Sequence, residues 1–283
     1  NHPNAAQISG EMSELFQSIF LNTLEDSEAL SPLQSLSLFY EFSELTPLGE
    51  RGDLIVQKLA DRLASMDLLD RATQLLENQI KFRATGESRS RVGARLALFY
   101  LLNKQPQEAL NILEITNYGE NPAELQSARR ELTAEALIRL QHYEDALSVL
   151  YPETGSEATK LRLRALWEMQ DWTNVINNAE DALSARTNLT EPLTAEETEI
   201  LLKLALAYCF QGDYTQLRYL RDYYGQLLPE SGYKQVFDFI TNDTTPLDTE
   251  DLSVLSQQIS NTESFLDIFR KKLDEGQLSE AIR

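Results

Sequence analysis

The strongest constraint on the fold is a pair of alanines that recurs at a fixed interval. The two members of each pair lie twelve residues apart, and the pattern repeats every 37 residues: Ala60/Ala72, Ala97/Ala109 and Ala134/Ala146. Each pair belongs to two apolar helical stretches separated by a polar turn. Helices approach closely only where their facing side chains are small, so each pair predicts the contact between the two helices of one hairpin. A period of about 20 to 50 residues is the signature of a stacked repeat protein.

Five helix hairpins fit this pattern between residues 51 and 228. Their predicted helices are 53–66 and 69–83, 88–103 and 106–116, 122–140 and 143–150, 156–170 and 172–186, and 195–210 and 213–228. Residues 1–50 are predicted to form acidic N-terminal helices or a cap. Residues 229–283 are predicted to form irregular C-terminal helices or a cap, with helices near 231–241, 248–260 and 262–274. Without a convincing β-strand pattern, the chain is predicted to be all-α.

Three local patterns predict where individual helices begin. Ser31 precedes a proline that suits the first position of a helix. Thr194 and Glu197 have the spacing of a capping box. Asn121 is followed by Pro122-Ala123-Glu124, so we expect Asn121 to cap a helix that starts at the proline.

Charge is unevenly distributed along this chain of net charge −20. Residues 1–50 hold eight acidic residues and residues 236–269 hold seven, and neither segment contains Lys or Arg. Residues 51–164 contain sixteen residues of each sign. Nucleic acid is an unfavourable partner because phosphate binding needs a basic surface. No apolar stretch is long enough to cross a bilayer, so we expect a soluble chain with no membrane insertion, either cytoplasmic or periplasmic.

The sequence offers little for catalysis, so we expect no enzymatic activity, no cofactor and no metal site. The single cysteine, Cys209, is expected to be a small buried side chain. His2 and His142 lack metal-ligand spacing, and no phosphate-binding glycine loop is present. Glu131 and Glu135 lie one helical turn apart, but nearby arginines favour a solvated network of ion pairs. Six tyrosines near the C-terminal end could form a recognition patch: Tyr208, Tyr214, Tyr219, Tyr223, Tyr224 and Tyr233. We expect core packing to account for at least half of the six.

The hairpins resemble the tetratricopeptide repeat (TPR). That family has antiparallel helix pairs, an aromatic or apolar residue opening the second helix, and alanine three positions later. Here the openers are Leu69, Pro106, Tyr143, Trp172 and Tyr214, followed at the third position by Ala72, Ala109, Ala146, Val175 and Leu217. The stretch leading into residue 51 is also similar to the C-terminal region of large bacterial repeat proteins of undefined role. The resemblance implies a right-handed α-solenoid of stacked helix hairpins.

In a TPR-like solenoid the first helices of the hairpins form a concave wall, and partners bind there. The resemblance places nine candidate partner-binding residues on that wall: Arg91, Arg95, Leu98, Glu135, Ile138, Arg139, Lys160, Arg164 and Trp167. A wall that combines cationic and apolar side chains suits an acidic, partly hydrophobic segment. That segment could be foreign, or it could be an acidic end of this chain, residues 1–50 or 236–269. The same basic residues could instead only pair with the neighbouring Glu131, Glu135, Glu157 and Glu168.

Three functions remain open at this stage. The first is a noncatalytic scaffold that binds a peptide segment or a protein partner. The second is a structural assembly module that associates with itself or forms part of a longer solenoid. The third is a noncatalytic domain attached to an enzyme on the same polypeptide. The chain begins at Asn1 rather than Met, so we expect it to be a portion of a longer protein.

Overall fold

The computed structural model describes residues 11–16, 18, 31–42, 45–46, 49–186, 190–230 and 232–242. All regular secondary structure in these ranges is helical, which confirms the all-α class. Helix α1 includes residues 11–16. The others are α2 (Pro32–Glu41), α3 (Glu50–Ser65), α4 (Leu69–Phe82), α5 (Gly86–Leu102), α6 (Pro106–Ile115), α7 (Ala123–Arg139), α8 (Tyr143–Leu150), α9 (Ser156–Glu168), α10 (Trp172–Ser184), α11 (Ala195–Gln211), α12 (Tyr214–Tyr224) and α13 (Gly232–Ile240). The helices predicted near 248–260 and 262–274 lie outside the described residues.

Helix starts agree with two of the three predicted caps. The side chain of Ser31 accepts the backbone N–H of Gln34, whose side chain bonds back to the Ser31 N–H at 2.9 Å. Thr194 and Glu197 form the same reciprocal pair, with bonds of 3.2 and 2.8 Å. The Asn121 prediction is wrong, because α7 begins at Ala123 without a side-chain cap. Pro122, with an extended ψ of 148°, occupies the N-cap position of α7. Asn121 therefore lies one residue too early to cap the helix.

All five predicted hairpin turns contain one residue in the left-handed conformation. These residues are Asp67, Lys104, Gln141, Gln170 and Gly212, with φ between 56° and 72°. In four of the turns, the next residue donates its N–H to the carbonyl five positions earlier: Leu68 to Leu63, Gln105 to Tyr100, Asp171 to Leu166 and Asp213 to Tyr208. This is the Schellman pattern, which satisfies carbonyls at a helix C-terminus. Four of the hairpins therefore share this turn geometry, and the first three also share the alanine spacing.

The described residues form two compact units, one ending at Gln141 and the other beginning at His142. In the first unit, α2 packs on α3, α3 on α4, α4 on α5, and both α5 and α6 on α7, with α5 also against α6. Helix α5 is the centre of this unit, because the eight consecutive residues 92–99 are all buried. The paired alanines Ala60, Ala72, Ala97 and Ala109 have no exposed surface, as expected for small residues at close helix contacts.

Hydrogen bonds from one buried arginine link three helices of the first unit. Arg129 of α7 donates to the carbonyls of Ser90 in α5, at 2.7 Å, and Leu113 in α6. Both of its terminal nitrogens lie 3.4 Å from the hydroxyl of Thr116, which donates to the Ile112 carbonyl at 2.5 Å. The Thr116 side chain packs directly against Gly93 of α5. Helix α5 can therefore lie this close to the end of α6 because residue 93 has no side chain.

The second unit has its own core around α11. Helix α8 packs on α9, α9 on α10, α10 on α11, and α11 on both α12 and α13. Residues 201–208 of α11 are all buried. Trp167 lies edge-on to Trp172 and Phe210, at 5.1 and 6.3 Å between ring centroids. Trp172 and Phe210 stack at 4.3 Å. Both tryptophans of the chain thus belong to one aromatic cluster of the second unit.

Each unit also contains a tyrosine–carboxylate bond between neighbouring helices. Tyr100 of α5 donates to Glu77 of α4, and Tyr208 of α11 donates to Glu180 of α10. Burial and the adjacent carboxylate raise the pKa of both phenols above their usual range. Each bond therefore requires a neutral tyrosine, whose hydroxyl donates to the glutamate.

Candidate functional site

Five of the nine residues predicted for the concave wall are buried, including Trp167 at 6% exposure. Arg95, Leu98, Glu135 and Ile138 are at most 3% exposed. They have no surface for direct contact with a partner in this conformation. Their role in partner binding stays a prediction, and it would require the protein to open at these positions.

The basic members of the set in the first unit form ion pairs. Arg91 binds Glu87 one turn earlier on α5, with a closest N–O distance of 2.6 Å. The Arg95 guanidinium lies 2.8 Å from a carboxylate oxygen of Asp61 on α3. Both arginines thus use acidic partners from outside the predicted set. Their charges therefore take part in contacts within the protein.

Glu135 and Arg139, two of the predicted residues, form an ion pair with a closest N–O distance of 2.6 Å. The expectation of a solvated network is wrong for this pair, because the Glu135 side chain has no exposed surface. Arg139 also donates to the Leu101 carbonyl at 3.3 Å, which ties α7 to α5. A buried carboxylate needs such a partner, since its desolvation is costly.

Lys160 and Trp167, two of the three predicted residues of the second unit, also contact partners within the protein. Lys160 lies 2.6 Å from Glu196 and 3.2 Å from Glu157. Burial lowers the pKa of Lys160, but the two carboxylates raise it more, so the net shift is upward. Trp167 is 6% exposed within the aromatic cluster. Arg164, on the same helix, is half-buried.

Helix α12 presents a different kind of surface. Asp213 caps its start by accepting the backbone N–H of Gln216 at 3.2 Å, and Leu217 and Leu220 are buried on its inner side. On the outer side, Tyr219 is 58% exposed and Tyr223 is 40% exposed. Their rings stack with centroids 5.9 Å apart and planes 12° from parallel. Two large rings thus lie side by side in solvent, where neither contributes to a core.

Two charged residues flank these rings on the same exposed side of α12. Arg218 and Asp222 are both exposed, and Asp222 also lies 3.7 Å from the Arg221 guanidinium. We refer to Arg218, Tyr219, Asp222 and Tyr223 as the tyrosine face. The next ring, Tyr224, is half-buried and meets Tyr223 edge-on at 4.7 Å. Burial and then the neighbouring tyrosines raise the pKa of Tyr224.

The tyrosine-rich region is more exposed than the sequence analysis expected. Tyr208 is buried and Tyr224 is half-buried, whereas Tyr214, Tyr219, Tyr223 and Tyr233 are each at least 40% exposed. The assignment of at least half of the six to a core is therefore wrong. The available signal was the spacing of Leu217 and Leu220, which marks the buried side of α12 and leaves positions 219 and 223 on the other side.

The described part of the chain shows no cluster of three or more His, Cys, Asp or Glu side chains that could hold a metal ion. Cys209 is half-buried, and burial raises the pKa of its thiol to about 11, so it is protonated at neutral pH and a weak nucleophile. Within the same ranges, no helix combines the length and the apolar character needed to span a membrane.

The tyrosine face thus presents two stacked, exposed aromatic rings, whereas the predicted wall residues are mostly occupied by internal contacts. No family model matches this chain, and neither a curated protein nor a solved structure matches it.

Proposed function

We propose that this protein is a noncatalytic helical-repeat scaffold that binds a protein partner through the tyrosine face of α12. The observation that carries the proposal is the exposure of the stacked rings of Tyr219 and Tyr223. Tyrosine offers a large, rigid contact area at low cost in conformational entropy, and it is enriched among the residues that dominate binding energy. An ordered pair of exposed tyrosines is therefore better suited to recognition than the ion-paired residues of the predicted wall.

We also propose that the hairpins stack as in a right-handed, TPR-like solenoid. Two features support this arrangement. Within each unit, successive helices pack on their neighbours in the chain. The five hairpin turns share one left-handed residue each, and the first three of these residues are 37 positions apart, like the alanines. A stack of similar hairpins gives a rigid support on which the outer side of one helix can serve as a binding surface.

The partner that fits this surface is a protein segment with an apolar or aromatic anchor. Arg218 and Asp222 carry opposite charges beside the rings, so the face has no strong sign of its own. Affinity should come mainly from burial of aromatic surface, and increasing salt should change it little. A partner held by the cationic residues of the predicted wall would instead dissociate as salt rises.

A photo-crosslinking experiment tests this proposal. A benzophenone amino acid replaces Tyr219 or Tyr223 in the full chain, and crosslinked partners from the cells of origin are identified by mass spectrometry. Tyr151 provides a matched control, because it is 88% exposed but lies on a turn outside the tyrosine face. We expect one discrete partner to crosslink from positions 219 and 223 and not from 151.

The partner is then purified and its affinity is measured. We expect the double variant Tyr219→Ala/Tyr223→Ala to bind at least about tenfold more weakly, the effect of losing about 1.4 kcal/mol at an interface. Tyr151→Ala should bind like the wild type. Equal crosslinking from all three positions, or an affinity that the double variant leaves unchanged, would rule out the tyrosine face as the binding surface.

Self-assembly is the second candidate function, and one feature of α12 favours it. If two copies of this helix packed antiparallel about a twofold axis, Arg218 of each could face Asp222 of the other, beside the paired tyrosine rings. Light scattering distinguishes the two functions. A dimer that the double tyrosine variant converts to a monomer supports assembly, whereas a monomeric wild type supports binding of a foreign partner.

A further inference from the structure

Three helices of the first unit are joined side by side through their charged residues. The Arg95 guanidinium of α5 lies 2.8 Å from a carboxylate oxygen of Asp61 on α3. Arg139 of α7 donates to the Leu101 carbonyl of α5 at 3.3 Å. Leu98 lies on α5 midway between these two contacts, about 60° around the helix from Arg95 and from Leu101. We refer to the side of α3, α5 and α7 that contains Leu98 as the three-helix wall.

The three-helix wall is buried although it faces away from α4 and α6. Around α5, Leu98 lies about 140° from Gly93, where the end of α6 packs, and about 160° from Tyr100, which bonds to α4. A leucine in this position would be exposed on an open wall. Leu98 has no exposed surface, and Glu135 and Ile138 of α7 are at most 3% exposed. Burial of all three residues therefore requires a covering element other than α4 and α6.

Among the segments outside the described residues, 262–274 has the sequence pattern that such a covering element needs. Its large apolar residues follow the spacing of one face of a helix: Phe265, Ile268, Phe269 and Leu273. The preceding 19 residues, 243–261, can span about 60 Å, which is twice the diameter of a small domain. The linker is therefore long enough for this segment to return to the first unit.

Charge distinguishes this segment from the other candidates. The wall helices carry the half-buried Asp61 and Glu131 beside the buried Glu135. Outside the described residues, Lys and Arg occur only at positions 270, 271, 272 and 283. Lys272 falls within the apolar face of 262–274, seven residues after Phe265. The stretches 17–30 and 243–261 contain acidic residues and no basic residue, so they would bring like charges together on the wall.

We infer that residues 262–274 fold back on the first unit and cover the three-helix wall as an intramolecular ligand. The apolar face of this segment packs on Leu98 and Ile138, and Lys272 meets the acidic side chains of the wall. The wall is thereby closed to foreign segments until residues 262–274 are displaced. This autoinhibitory contact belongs to the first unit and is independent of the tyrosine face.

Photo-crosslinking in the full chain tests the contact directly. A benzophenone amino acid replaces Phe269, and mass spectrometry identifies the peptide to which it attaches. We expect attachment to α5 or α7 of the same molecule, with a yield that does not depend on protein concentration. The same group at Phe20 or at Leu255 tests the rival segments. Attachment to α5 or α7 from position 20 or 255 and not from 269 would overturn the inference, as would attachment only between molecules.

Binding in trans provides a second test, with a synthetic peptide of residues 262–283 as the probe. The full-chain variant Phe265→Asp/Phe269→Asp should leave the wall open, with unchanged helical content of the described helices by circular dichroism. We expect it to bind the peptide with a dissociation constant of about 100 μM or below. The wild type should bind the peptide at least about tenfold more weakly, because its own segment competes at an effective concentration of about 1 mM.

A matched pair of peptide variants tests the charge contact. Lys272→Glu in the peptide should weaken binding to the open variant at least about fivefold. Lys271→Glu lies outside the apolar face and should bind like the native peptide. Equal binding of the native peptide to the wild type and the open variant would contradict the inference. So would the absence of binding to both, or equal effects of the two lysine changes.

Discussion

Substituting Gly93 by alanine should destabilise the first unit, although glycine-to-alanine changes within helices usually stabilise. Gly93 lies in the middle of α5, where alanine would favour the helix by about 1 kcal/mol. A Cβ atom at this position would overlap Thr116 Oγ1 and lie 2.6 Å from Thr116 Cβ. Thr116 is 2% exposed and cannot rotate away without breaking its bonds to Ile112 and Arg129.

The balance of these effects sets the size of the change. Overpacking a core position costs about 1–3 kcal/mol. Displacing the Thr116 hydroxyl weakens a hydrogen bond to a charged group, which is worth about 1.5–3 kcal/mol. Subtracting the gain in helix propensity leaves a net loss of about 3 kcal/mol. For a chain of this size, that loss corresponds to a fall in Tm of about 6–12 °C.

Thermal and urea unfolding followed by circular dichroism measure this loss, and hydrogen exchange of α5, α6 and α7 localises it. Gly232→Ala is the matched control, because Gly232 lies in α13 with open space around it. That variant should be as stable as the wild type or slightly more stable. In a Thr116→Ala background, the cost of Gly93→Ala should fall by about 1 kcal/mol, because the overlapping hydroxyl is gone. A Gly93→Ala protein at least as stable as the wild type would refute the close contact of α5 with the end of α6.

Three further changes test other parts of the fold. Gly212→Ala should cost about 1 kcal/mol of unfolding free energy, because alanine is strained at the left-handed position of this turn; thermal melting measures it. Arg139→Met should cost about 2 kcal/mol in urea unfolding, because it removes a hydrogen-bonded ion pair with the buried Glu135 carboxylate. Tyr100 and Tyr208 have raised pKa values in the folded state, so their contribution to stability is complete below pH of about 10 and decreases above it. Urea unfolding as a function of pH should therefore show a smaller alkaline loss in Tyr100→Phe/Tyr208→Phe than in the wild type.

Much of the fold was predictable because local sequence controls it. The alanine spacing and the turn residues placed the ten predicted hairpin helices within a few residues of their observed bounds, and the Thr194 cap has the expected geometry. The Asn121 cap failed because proline φ is fixed while its ψ is free to be extended. The left-handed residues of the turns were not foreseen, since Asp67, Lys104 and Gln141 carry no glycine-like signal.

The candidate site was harder to predict, because burial depends on contacts between distant segments. Position within a repeat placed Arg95 and Glu135 on a wall, but their burial comes from packing that a repeat register does not encode. Ion pairs such as Arg95–Asp61 join residues 34 positions apart. The exposed tyrosines were within reach of sequence reasoning, because the two inward leucines of α12 fix which side of that helix faces solvent.

The most direct test of the central claim compares two variants for binding of the crosslinked partner. One is Tyr219→Ala/Tyr223→Ala, which removes the rings of the tyrosine face. The other is Arg91→Glu/Arg164→Glu, which reverses charge on the predicted wall. We expect the tyrosine variant to lose at least about tenfold in affinity and the charge variant to bind like the wild type at both low and high salt. Loss of binding in the charge variant, with strong salt dependence and no effect of the tyrosines, would contradict the account.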